Sequence, residues 1–76
     1  MSILSSMQRD EWIATFAAQL GVEPPDAAQI EQLLALAGIA AHSSERTAAP
    51  LACWVAGVAG ASSDQFLAAA QRVNGD

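Results

Sequence analysis

At 76 residues the chain makes one domain at most, and it buries only about 60% of the surface that its unfolded form exposes. An apolar fraction of 53% beside a charged fraction of 14% excludes an intrinsically disordered segment, which needs the opposite balance. Three arginines, no lysine and eight acids leave a net charge of −5, which excludes a binder of the phosphate backbone, so no nucleic acid is expected as a partner.

Alanine dominates, β-branched residues are thin, and no stretch alternates apolar and polar residues with period two. That pattern predicts helix everywhere except at three breaks, 21–25, 42–50 and 60–64, and so an all-α fold. Short connections favour antiparallel neighbours. The expectation is a single domain over residues 1–76, a compact bundle or orthogonal array of four helices at about 6–20, 26–42, 48–60 and 63–74.

The first helix is expected from Ser6, because Ser5, Ser6, Met7 and Gln8 have capping-box spacing. Trp12, Ile13, Phe16 and Leu20 form its apolar stripe, and Gly21 stands where a left-handed cap is wanted. Pro24 and Pro25 prevent continuation. The second helix starts at Asp26, with Gln29 three residues later as its reciprocal cap. Its stripe is Ile30, Leu33, Leu34, Ala37 and Ala41, widened by Leu36 and Ala40, with Ile39 on the opposite side.

The third helix takes Thr47 as N-cap and holds Pro50 in its first turn, where the missing N–H does no harm. Leu51, Trp54, Val55 and Val58 make one face, and Cys53, Ala56, Gly57 and Gly60 make a face of small residues. A helix apolar all round is buried all round, so this one is expected at the centre. The uncharged run 48–61 spans about 21 Å as helix, against about 30 Å of hydrocarbon. No membrane span is expected, and with no cationic leader at the amino terminus the expected location is cytoplasmic. The fourth helix opens at Ser62 or Ser63 with Gln65 in capping position, and turns Phe66, Ala70 and Val73 inward. Phe16, Leu33, Leu34, Trp54, Val55 and Phe66 are the expected core, in which Gly57→Leu would overpack the small face.

Catalysis finds no support in this pattern. His42 is the only imidazole, no Gly-x-Ser-x-Gly elbow strains a serine outward, and no phosphate loop with lysine exists. A lone Cys53 with a lone histidine builds neither a disulfide nor a closed zinc site, so no metal or cofactor is expected. The polar cluster 42–46 is the candidate site. If the second helix continues through it, His42, Glu45 and Arg46 share one face and could hold an anionic or peptide ligand. The structural reading has His42 capping carbonyls while Glu45 and Arg46 form a solvated or tertiary ion pair. Trp12 and Trp54 are core mass in one reading and partner-facing in the other.

Asp10-Glu11-Trp12, Gly21, Ala41-His42, Glu45-Arg46, 48–51 and Gly57 together resemble a small all-helical bacterial domain family of unknown function. Its most specific part is the Ala-His-x-x-Glu-Arg-x-Ala-Ala-Pro-Leu segment at 41–51. That family occurs alone or joined to nucleotidyltransferases resembling the guanylyltransferase of molybdenum-cofactor maturation. The resemblance implies a non-catalytic accessory role near cofactor insertion or guanylylation, with a protein partner such as a molybdenum-cofactor enzyme. It singles out His42, Glu45, Arg46 and Pro50 as motif positions of binding interest. Two other readings stay open: binding of a small anionic, phosphate- or pterin-type ligand by His42 and Arg46, and structural self-association.

Overall fold

The computed structural model describes residues 8–75, which form α1 (Arg9–Leu20), α2 (Ala27–Ser43), α3 (Ala48–Ala59) and α4 (Ser63–Val73). The expected all-α arrangement of four helices is the one observed, and no strand occurs among the described residues.

Local chemistry explains each boundary. α1 starts later than Ser6, because Gln8 is its cap, with extended backbone and its N–H donating to Glu11 Oε1 at 3.3 Å. This start puts Asp10 and Glu11 in the first turn, where the helix dipole favours negative charge. The proposed Ser5–Ser6 cap lies outside the described residues. At the other end Gly21 adopts φ 73°, and the N–H groups of Gly21 and Val22 close onto the carbonyls of Ala18 and Ala17 at 3.1 and 3.0 Å. That is a Schellman ending, and it requires the glycine.

The box at α2 is reciprocal: Gln29 N–H donates to Asp26 Oδ1, and Asp26 N–H to Gln29 Oε1, both at 2.8 Å. Ser62 and Gln65 repeat it at α4, at 3.2 and 2.9 Å. Thr47 does not cap α3 as expected. Its backbone is already helical and its side chain makes no cap bond. A turn does the work instead, with Ala48 and Ala49 N–H donating to the carbonyls of Glu45 and Arg46 at 2.9 and 3.2 Å. Pro50 is the third residue of α3, where no N–H is required.

The helix at the centre is α2, not α3: α2 packs against both α3 and α4, which do not pack comparably on each other. α1 makes no packing of that extent with any helix. It approaches the rest where Ile13 and Ala14 come near Pro24, Pro25 and Ile30. The physical reason lies in α3. Its small residues Ala49, Ala52, Cys53 and Ala56 are the ones covered, because only they let the α2 backbone come close. The Cys53 thiol lies 3.9 Å from the Leu33 carbonyl across that contact. Of the large face, Leu51, Trp54 and Val58 are therefore turned outward, Trp54 69% exposed, while Val55 lies at the edge towards α4.

The buried set is accordingly small: Ala17, Leu36 and Ala56. Of the expected core, Phe16, Leu34, Trp54 and Val55 are exposed, while Leu33 and Phe66 are half-buried. Val73, expected inside, is exposed as well. On α2 the covered arc is rotated towards Leu36 and Ile39, because two helices flank it instead of one, and Leu34 falls outside.

Gly57 changes meaning with this packing. It is exposed, and a Cβ built there meets nothing within 4 Å, so the overpacking expected of Gly57→Leu has no neighbour to act on. Gly57→Ala should instead raise stability by about 0.5–1 kcal/mol, the cost of glycine inside a helix. A thermal melt checks this, and a lowered midpoint would mean that another chain approaches Gly57 closely.

Candidate functional site

Because α3 and α4 flank α2 without closing on each other, an apolar groove of about 700 Å³ opens between them. Leu36, Ile39 and Ala40 of α2 form its floor. Ala52, Val55 and Ala56 line the α3 wall, and Phe66, Ala69 and Val73 line the α4 wall. No charged residue lines it. The volume lies within the range of about 300–1,000 Å³ typical of ligand-sized clefts. A channel walled by two helices, with a helix as its floor, is also the shape that receives an amphipathic helix.

The motif positions fall beside the groove, not in it. α2 ends at Ser43, and Ser44 leaves the helix with φ −134° and ψ −104°. The shared helical face that would join His42 to Glu45 and Arg46 is thereby broken. His42 lies in the last turn of α2, Glu45 and Arg46 on the turn that follows, and Pro50 in α3; all four are exposed. No ion pair or hydrogen bond joins their side chains among the described residues, where Arg9 with Asp10 is the one ion pair. The groove reaches this corner at Ser43, Ser44 and Ala48, but neither His42 nor Arg46 lines it. An exposed arginine without a carboxylate partner contributes little to folding. Arg46→Ala should therefore leave the unfolding free energy within about 0.5 kcal/mol of the parent. A loss of several kcal/mol in a urea titration would make Arg46 structural.

Cys53 sits half-buried, and burial pushes its thiol pKa up, which keeps it protonated at neutral pH and poorly nucleophilic. No group of three or more His, Cys, Asp or Glu side chains is placed to hold a metal among the described residues. No helix among them is long and apolar enough to cross a membrane.

Pattern reading missed Ile39, Val55 and Val73 as groove residues. The signal available was Ile39 itself, an isoleucine on the side of α2 opposite the main stripe. It requires a neighbour on that side, and α4 together with α3 supplies a groove there. Both tryptophans are exposed and neither is core mass, with Trp12 at 52% and its ring stacked on Phe16 at 5.1 Å between centroids.

A family model described as a domain of unknown function, DUF6457, matches residues 5–75. No curated protein and no solved structure matches the chain.

Proposed function

The chain belongs to the DUF6457 family, and from that premise we propose that it is a non-catalytic interaction domain docking a partner protein through the outward face of α3. The observation that carries this reading is the inversion of α3, which packs its alanines and presents Leu51, Trp54 and Val58 to solvent. An apolar face of this kind on a small domain marks an interaction site, and tryptophan is the residue most enriched among those that dominate binding. The run 48–61 carries no charge, so a partner can cover this face without stranding an ion.

The partner class follows from the resemblance to domains joined to molybdenum-cofactor nucleotidyltransferases. A domain carried beside an enzyme serves it by contact, so the proposed partner is a molybdenum-cofactor enzyme presenting an apolar patch. The anion-binding reading has weaker support, because His42 and Arg46 are not brought together and no cation lines the groove.

Titration calorimetry with a purified molybdenum-cofactor guanylyltransferase tests the proposal. Binding is expected, with Trp54→Ala weakening it by about 2 kcal/mol or more, roughly thirtyfold, as for a central aromatic anchor. Since Trp54 is exposed, the variant should fold like the parent. Affinity unchanged by Trp54→Ala, or no binding at all, would overturn the reading.

A further inference from the structure

We propose that helix α1 of one copy lies in the groove between α3 and α4 of a second copy, making a homodimer by reciprocal exchange. This uses a different surface from the outward face of α3, so either proposal can fail without the other.

Two incomplete halves of one bundle are present in each chain. α1 carries an apolar stripe, Trp12, Phe16 and Leu20, spaced four residues apart and exposed along its length. Among the described residues it makes no extensive packing on its own chain. The α2–α3–α4 unit has an uncharged apolar channel where the fourth helix of a bundle would sit. The dimensions agree: twelve residues of α1 span about 18 Å, and the α3 wall is lined from Ala48 to Ala59, about 17 Å.

The connection holds α1 away from its own groove. Gly21 ends the helix in a left-handed turn, and Pro24 and Pro25 keep the segment before α2 extended. The groove floor lies at Leu36, Ile39 and Ala40, whereas α1 meets its own chain near Ile30 and the two prolines. A second copy answers the same geometry, since a two-fold axis places each α1 against the other chain's groove.

Charge and area are compatible with this occupant. Each chain carries a net charge of −5, which opposes association in general, but neither the groove lining nor the stripe of α1 contains a charged side chain. The half-exposed Trp12, Phe16 and Leu20 side chains with the groove walls bury on the order of 500 Å² per exchange. Two exchanges come to roughly 1,000 Å², the size at which a well-fitted interface becomes specific. The exchange also covers Phe16, Val55 and Val73, three apolar side chains that the single chain leaves exposed.

Light scattering behind size exclusion should give twice the chain mass of 7.8 kDa. Trp12→Glu with Phe16→Glu should give a monomer, as should Val55→Glu with Val73→Glu. All four side chains are about half exposed or more, so helical content by circular dichroism should persist. Mixing the two double variants should restore a dimer, because one intact α1 then meets one intact groove. A second measurement needs no variant. In a sample mixing isotope-labelled and unlabelled chains, intermolecular nuclear Overhauser effects should link the Trp12 and Phe16 rings to the Val55 and Val73 methyls. A monomeric parent chain would overturn the proposal, as would a dimer unaffected by the α1 variants, or the same Overhauser effects found only within one chain.

Discussion

Leu36→Ala is expected to remove about half of the folding free energy, the largest loss of any single truncation in the chain. Leu36 is 5% exposed and is the one large side chain buried among the described residues, on the helix against which both α3 and α4 pack. Truncating a buried leucine costs about 2–5 kcal/mol, because the apolar transfer energy is lost and the cavity closes only in part. Domains of this size have roughly 4–11 kcal/mol in total, at about 0.05–0.15 kcal/mol per residue, and small chains tend to the low end. The other two buried residues, Ala17 and Ala56, are too small to offset such a loss. The measurement is the cooperative loss of helical circular dichroism in urea. Leu34→Ala is the internal comparison, since Leu34 sits on the uncovered side of the same helix. Equal losses for the two leucines would mean that α2 is not covered in the way described.

Ala56→Leu should be the next most damaging change, by about 1–3 kcal/mol. Ala56 is 8% exposed, in the row of small residues that lets α3 lie close on α2. Helix axes come together at about 8–10 Å only where side chains at the crossing are small. Three extra carbons at that crossing push α3 outward, and Cys53, whose thiol lies 3.9 Å from the Leu33 carbonyl, leaves its contact with it. The urea midpoint should fall while the dependence on denaturant stays the same, because the area exposed on unfolding is little changed. Gly57→Leu, one residue further along, should show no such loss, since its side chain would enter open space. If both variants were equally destabilised, the row of small residues would be packed on both sides.

Both expectations bear on how such a chain reads. Helix content and breaks are legible in sequence because they rest on local chemistry. Asp26 with Gln29, Ser62 with Gln65, and the left-handed Gly21 are short-range devices, and their partners lie within five residues. Where two local solutions compete, the reading slips by a few residues. Gln8 with Glu11 opens α1 although Ser6 was expected, and a backbone turn replaces the Thr47 cap.

The sequence by itself determined that this protein is all-α and where its helices stop. Which face of each helix is inside was decided only by the tertiary structure. Hydrophobicity reports that a side chain gains by leaving water, and it does not say against what. In α3 the small face and the large face are both apolar, and close approach of backbones selected the small one, leaving Trp54 outside. The corner at 42–46 shows the same limit, because helical spacing joins His42, Glu45 and Arg46 only if the helix continues. It ends at Ser43, and the three side chains part. The groove is the clearest case. No residue in it is distinctive, and it exists because two helices share a third without meeting each other.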